Sequence, residues 1–128
     1  MTSYRKKHTL KERQEESKRI RKKFPNRIPV LINKSIRKNE SRQEKEKSKS
    51  TNQAKKYLVP GDFTMGQFSY VFRKKMKMKP EEAIYFYVSE RWTMCPNSAI
   101  MSQMYKEYQD PDGFLYLDWK KENTFGCD

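Results

Sequence analysis

The sequence has little of the residues that build catalytic and metal sites. It contains one histidine, His8, and two cysteines, Cys95 and Cys127. Two cysteines are too few for a disulfide framework, and no Cys/His partner stands at a metal-ligand spacing. Because the chain lacks a Cys-His pair and an identifiable acid/base pair of carboxylates, we predict no enzyme activity, no metal site and no cofactor. Cys95 is expected to be a half-buried small hydrophobe.

Glycines and long apolar runs are also scarce. The four glycines form no phosphate-binding loop, which argues against a nucleotide site of that type. No run of 18 apolar residues predicts a transmembrane helix, and the N-terminal residues lack the apolar stretch of a secretory signal. Together with the unpaired thiols, these features favour a cytoplasmic protein.

Charge is abundant and unevenly distributed. Residues 1–56 hold 20 Lys/Arg and 6 Asp/Glu, a net charge of +14, whereas residues 57–128 hold 9 and 10, a net charge of −1. The net charge of +13 of the whole chain therefore arises from the first part. A basic segment suits nucleic acids, acidic membranes or acidic proteins. The basic helix predicted below interleaves Glu12, Glu15 and Glu16 with its cations, and the sequence holds no known reader motif, so no specific nucleic-acid partner is expected.

Apolar patterning predicts the first half of the fold. Residues 9–24 should form a helix that begins with a Thr9–Glu12 capping box. Its narrow apolar stripe consists of Leu10, Ile20 and Phe24. The preceding residues form at most a short helical turn. Residues 27–34 and 55–60 should be strands. Between them, residues 36–53 are polar and are expected to form a long mobile loop.

The second half alternates helices and strands. A helix over residues 64–80 should begin with a Thr64–Gln67 capping box, and residues 97–110 should form another helix. Residues 83–90 and 113–119 should be strands. The order helix-β-β-α-β-α-β predicts an α+β β-grasp with the helices on one face of a mixed sheet. We divide the chain into a helical extension (1–26), a body (27–122, with the insertion 36–53) and a tail (123–128).

Several motifs together point to a known family. The stretches "RKKFPNRIPVLINK", "KKYLVPGDFTMGQFSYVFRKKM", "AIYFYV" and "GFLYLDW" with "ENTFG" resemble the ubiquitin-like autophagy modifiers of the GABARAP type. The resemblance covers about residues 10 to 126. It implies a ubiquitin-like β-grasp with two extra N-terminal helices.

The resemblance also gives the C-terminus a role. In the family a dedicated cysteine protease cuts after a glycine that follows an aromatic residue, which here is Gly126 after Phe125 and before Cys127. E1-like and E2-like enzymes then transfer the glycine carboxylate to phosphatidylethanolamine. The implied function is a ubiquitin-like autophagy modifier that tethers cargo receptors and autophagy factors to the forming autophagosome membrane.

The same resemblance implies a peptide-docking groove beside the second strand. Family members bind aromatic-x-x-aliphatic peptides as an added strand. The residues that match the aromatic pocket are Glu16, Ile20, Pro29, Lys56, Leu58 and Phe114. Those that match the aliphatic pocket are Tyr57, Val59, Pro60, Phe63, Phe68, Val71 and Phe72. Arg27 and Lys56 suit the acidic residues that flank such peptides.

Three departures from the family pattern bear on partner preference. The segment 36–53 is long, Cys95-Pro96 replaces a proline pair beyond Trp92, and Phe63 is larger than the usual aliphatic residue.

Two alternatives to the conjugated modifier remain. One is a non-lipidated ubiquitin-like adaptor that binds aromatic-x-x-aliphatic motifs in vesicle or organelle trafficking. The other is a basic nucleic-acid-binding β-grasp, which steeply salt-dependent RNA binding would reveal.

Overall fold

The structure is a computed structural model that describes residues 3–34, 55–89, 91 and 93–123. Its helices are α1 (Ser3–Lys7), α2 (Leu10–Lys23), α3 (Met65–Lys75) and α4 (Met101–Tyr108). Its strands are β1 (Arg27–Lys34), β2 (Lys55–Pro60), β3 (Glu82–Val88), β4 (Thr93–Met94) and β5 (Leu115–Asn123). The predicted segment 36–53, Trp92 and residues 124–128 lie outside the described residues.

The strands form one mixed sheet in the order β2-β1-β5-β3-β4. Strands β1 and β5 are parallel at the centre, and the other pairs are antiparallel. This arrangement confirms the predicted α+β β-grasp with two N-terminal helices. The prediction that all helices share one face is wrong. Helices α3 and α4 pack on one face through the main core, while α1 and α2 cover the other.

Side-chain alternation along β1 supplies both layers. Ile28, Val30 and Ile32 join the large core beneath α3 and α4, whereas Leu31 joins Phe114 and Tyr116 in a small cluster beneath α1 and α2. Successive residues of a strand point to opposite faces, so one apolar strand can serve two layers. That is why β1 reads as an unbroken apolar run.

The starts of α2 and α3 agree closely with the sequence. Both capping boxes are present, at Thr9 with Glu12 and at Thr64 with Gln67, and each hydroxyl accepts from a backbone N–H. The predicted end of α3 at residue 80 is wrong. The helix ends at Lys75, and Lys77 adopts a left-handed φ of 52°.

A pair of backbone bonds explains this early end. The Met78 amide donates to the Arg73 carbonyl and the Lys77 amide to the Lys74 carbonyl. This is the Schellman arrangement, which here forms without the glycine that usually marks it. Helix propensity in the lysine-rich segment therefore gives way to a local turn.

The strands after α3 also shift from their predicted bounds. Strand β3 is Glu82–Val88 rather than 83–90, and β5 is Leu115–Asn123 rather than 113–119. Residues 120–123, which follow the predicted end of this strand, continue β5 and pair with β3 down to Glu82 opposite Asn123. The predicted helix 97–110 shortens to α4, and β4 was not predicted.

The predicted apolar stripe on α2 is wrong in part. Ile20 packs on the small cluster, but Leu10 and Phe24 are exposed. The buried centre of this face is Ser17, whose hydroxyl donates to the Asp112 carbonyl. Helix α2 is therefore attached by polar contacts more than by a hydrophobic stripe.

Candidate functional site

The candidate site lies on β2, at one edge of the sheet. Strand β2 pairs with β1 alone among the described strands, from Arg27 opposite Pro60 to Ile32 opposite Lys55. An edge strand presents backbone N–H and C=O groups that a further strand can pair with. Within the described part of the chain, no strand takes that position.

Alternation along β2 sends its side chains to the two layers. Tyr57 makes edge-on ring contacts with Phe68 and Phe72 of α3, at centroid distances of 5.8 and 6.1 Å. Lys56 lies on the opposite face, close to Phe114 and to Glu16 of α2. The two sequence-predicted pockets therefore lie on opposite faces of the sheet and share the edge strand between them.

The aromatic side of the site is crowded. Phe114 is fully buried, Ile20 packs against its cluster, and Pro29 lies opposite Leu58 in the β1–β2 ladder. The Glu16 carboxylate lies 3.6 Å from the Lys56 ammonium. All six residues predicted for this pocket thus belong to one region between α2 and the first two strands.

A residue of α1 also belongs to this region, and the sequence analysis missed it. The Tyr4 ring meets Phe114 edge-on with the centroids 5.4 Å apart, and the Lys56 ammonium lies 4.7 Å from the Tyr4 centroid. An open cavity of about 450 Å³ adjoins it, lined by Tyr4, His8, Glu12, Glu15, Glu16, Arg19 and Lys56. One signal was available, since Tyr4 is the only aromatic residue before Phe24.

Electrostatics hold Lys56 in place. The Arg19 guanidinium donates to Glu16 at 2.7 Å and holds the pKa of that carboxyl below its ordinary value, and Lys56 lowers it further. Glu16 is therefore anionic at neutral pH. Burial, followed by the charge of Glu16, raises the pKa of Tyr4. The neutral phenol of Tyr4 therefore packs against the Lys56 ammonium, which is paired with Glu16.

The aliphatic side is built on the main core. Phe72 is 1% exposed and contacts Phe86 and Trp119, and Phe68 and Val59 are also buried. These three residues form the floor of this side. Its accessible residues are Tyr57 and Phe63, which are half-buried, and Val71, which is 41% exposed. Pro60, which was also predicted for this side, alternates with Tyr57 along β2 and lies opposite Arg27.

Cations surround the edge strand. The exposed Arg27 donates to the Leu58 carbonyl at 3.4 Å, and the Lys75 ammonium lies 5.1 Å from the Tyr57 ring centroid. Lys55 and Lys56 are exposed on β2 itself. This charge would attract an acidic peptide over both faces of the strand. Lys75 is a second residue that the sequence analysis missed.

Metal ligands, membrane-spanning helices and reactive thiols also bear on function. No group of three His, Cys, Asp or Glu residues there could hold a metal ion, and no helix there is long and apolar enough to cross a membrane. Cys95 is buried, and burial raises the pKa of its thiol to about 12. Its sulfur therefore stays protonated and is a poor nucleophile.

The predicted conjugation residues Phe125, Gly126 and Cys127 lie outside the described residues. The last described residue before them is Asn123, at the end of β5. In the sequence, Gly126 therefore lies three residues after the last residue of β5.

Known proteins resemble the chain over nearly its whole length. The family model for "Autophagy protein Atg8 ubiquitin like" matches residues 12–126. Autophagy-related protein 8d of Arabidopsis thaliana is 45% identical over 127 residues, which is 98% of this chain and 96% of the relative. Autophagy-related protein 8 of the fungus Mycosarcoma maydis is 42% identical over 125 residues, 98% of this chain and 97% of the relative.

Solved structures agree. The crystal structure of Trypanosoma brucei ATG8 superposes with a TM-score of 0.78 at 34% identity, covering 98% of this chain and 99% of that one. Plasmodium falciparum Atg8, solved in complex with a P. falciparum Atg3 peptide, gives a TM-score of 0.70 at 29% identity, covering 93% and 95%.

Proposed function

The chain belongs to the Atg8 family of ubiquitin-like autophagy proteins, and from that premise we propose that it is joined to phosphatidylethanolamine through Gly126 and docks motif peptides along β2. As a family member it is a ubiquitin-like modifier of autophagy. The proposal concerns how it is attached to a membrane and what it gathers there. It has no catalytic site of its own in this proposal, and partner enzymes do the chemistry.

The observation that carries the docking proposal is the open edge of β2 with a pocket region on each face. A peptide in extended conformation would pair with the β2 backbone, and its side chains would alternate between the two faces. An aromatic residue would enter the side of Leu58, and an aliphatic residue three positions later would reach the side of Tyr57. Arg27 and Lys56 would meet acidic residues flanking the motif.

The tail proposal rests on the sequence and on the extent of the family match. The matched residues end at Gly126, which leaves Cys127 and Asp128 beyond the match. A protease that cuts after Gly126 would expose a glycine carboxylate. Glycine has no Cβ, so its carbonyl is open to attack by a thiol and its backbone fits a narrow cleft.

Conjugation would need partner enzymes. An E1-like enzyme would activate the Gly126 carboxylate, and an E2-like enzyme would carry it as a thioester to the lipid amine. The complex of P. falciparum Atg8 with an Atg3 peptide supports a conjugation-enzyme partner for this chain. Phosphatidylethanolamine has two acyl chains, which suffice for stable anchoring of a protein to a membrane. The lipidated protein would then collect cargo receptors on the autophagosome membrane.

Mass spectrometry of the protein from its own cells tests the conjugation proposal. We expect wild type to lose Cys127 and Asp128 and, on starvation, to gain the mass of a phospholipid that phospholipase treatment removes. Gly126→Ala should be neither processed nor lipidated, because the added Cβ lies beside the scissile carbonyl. A chain truncated after Gly126 should be lipidated without the protease. Retention of Cys127 and Asp128 on every wild-type molecule would favour the non-lipidated adaptor instead.

A further inference from the structure

The residue that covers the aromatic pocket belongs to the chain itself. We propose that Tyr4 occupies the position of a motif peptide's aromatic residue, and that a peptide binds by displacing Tyr4 from Phe114. This inference rests on the proposed docking function and adds a residue that sets the affinity of the same site. Tyr4 would act as an internal competitor for the pocket.

Burial is the first support. Phe114 is one of the residues predicted for the aromatic pocket, yet it is 0% exposed. The cavity on this side is lined by Tyr4 and Lys56, and Phe114 is absent from its walls. A peptide ring therefore cannot touch Phe114 until a covering side chain moves.

The chemistry of the cover is the second support. The Tyr4 ring makes an edge-on contact with Phe114, and the Lys56 ammonium lies over both rings, 4.7 Å from the Tyr4 centroid and 6.0 Å from that of Phe114. Edge-on aromatic pairs and cation–π contacts are the interactions that an incoming tryptophan or tyrosine would make at the same place. Tyr4 already makes both kinds of contact that a peptide's aromatic residue would make in the pocket.

The attachment of α1 is the third support. Helix α1 has five residues, far fewer than a helix needs to be stable on its own. Besides Tyr4, Arg5 holds α1 against the body through two contacts. It forms an ion pair with Asp110, and its guanidinium lies 4.1 Å from the Tyr116 ring centroid. Displacement of Tyr4 would thus require the release of a small segment, while α2 stays attached through Arg13 and Ser17.

Competition makes a quantitative prediction. When only a fraction of molecules has an open pocket, the apparent dissociation constant rises by the inverse of that fraction. If Tyr4 covers Phe114 in about nine molecules of ten, its removal strengthens binding about tenfold. A residue that merely formed a wall of the pocket would have the opposite effect.

The test is calorimetric titration of the full chain with a synthetic acidic peptide that carries one Trp-x-x-Leu motif. We expect Tyr4→Ala to lower the dissociation constant about tenfold, and Tyr4→Phe to behave as wild type because it keeps the ring. Tyr70→Ala is the matched control. Tyr70 also has a lysine over its ring, at 4.5 Å, but lies 61% exposed on α3. The Tyr70→Ala substitution should leave peptide binding unchanged.

Hydrogen exchange supplies a second readout. Saturating peptide should speed amide exchange in α1 and leave α2 protected. Weaker or unchanged binding by Tyr4→Ala would overturn the inference, as would an α1 that stays protected in the complex.

A Leu58→Ala arm separates the two proposals. If Leu58→Ala weakens binding while Tyr4→Ala does not strengthen it, the groove stands and the competitor role of Tyr4 is wrong. If Leu58→Ala has no effect, or no variant binds, the groove itself is wrong and the inference is overturned with it.

Discussion

The helices on the two faces of the sheet are held by different kinds of interaction. Beneath α3 and α4, the residues that the structure describes form a core of 16 buried side chains, most of them aromatic or aliphatic. Beneath α1 and α2, the described buried cluster consists of Leu31, Phe114 and Tyr116, and polar contacts hold the rest of this layer. A layer fixed by a few ion pairs can move without unfolding the body, whereas a layer fixed by a packed core cannot.

The polar layer centres on Asp112. This buried carboxylate accepts from Arg13 at 2.8 Å, from the Phe114 amide at 2.8 Å and from the Tyr116 hydroxyl. Burial, followed by the bond to Asp112, raises the pKa of Tyr116. The same loop therefore anchors α2 and places Phe114, so the attachment of the N-terminal layer and the aromatic pocket depend on one another.

The largest expected effect is in the packed layer. Phe72→Ala should destabilise the fold by about 3–5 kcal/mol, because it removes a ring packed against Phe86 and Trp119 and leaves a cavity. Chemical denaturation measures this change. Tyr70→Ala, on the exposed side of the same helix, should stay within about 0.5 kcal/mol of wild type. Similar losses in both variants would mean that α3 is not the core helix described here.

The next effect is in the polar layer. Asp112→Ala should cost about 3 kcal/mol, because it leaves Arg13 and Tyr116 without their buried partner. Arg13→Ala should be costly too, and the double variant should lose much less than the sum of the single losses. Additive losses in denaturation experiments would show that the two residues are energetically independent.

Substitutions along β2 should affect peptide binding more than they affect the free energy of unfolding. Leu58→Ala and Tyr57→Ala, on opposite faces of the strand, should each weaken a Trp-x-x-Leu peptide by about 2 kcal/mol or more. The reference is Lys106→Ala, an exposed change on α4 away from the edge strand. An effect of only one of the two β2 substitutions would restrict the docking site to a single face of the sheet.

The smallest effect concerns Glu16. Its folded-state pKa is lowered, first by Arg19 and then by Lys56, so the stabilisation is present above the ordinary carboxyl range and is lost as the pH falls through the folded-state pKa. Arg19→Ala should raise the pKa of Glu16 toward its ordinary value in a carboxyl NMR titration. Glu12 is the internal control, because its pKa is lowered by a hydrogen bond from the Thr9 backbone. A Glu16 curve that does not move would remove Arg19 from this account.

Local signals in the sequence placed much of the fold. The bounds of β1 and β2 and both capping boxes are confirmed, since they depend on apolar runs and on hydroxyl groups that act within three residues. Cys95, predicted to be half-buried, is buried in the main core. The motifs also identified the family correctly, whereas the groove residues that the family implies stay a prediction.

Long-range contacts decided what the sequence could not. Ser17 is buried because a carbonyl in the loop before β5 accepts its hydroxyl, and the polar residues after Trp119 form a strand because β3 lies beside them. Tyr4 covers Phe114 although the two are far apart in the chain. Periodicity and capping depend on neighbours a few residues away and can be read locally. A contact between distant segments exists only once the sheet has brought them together.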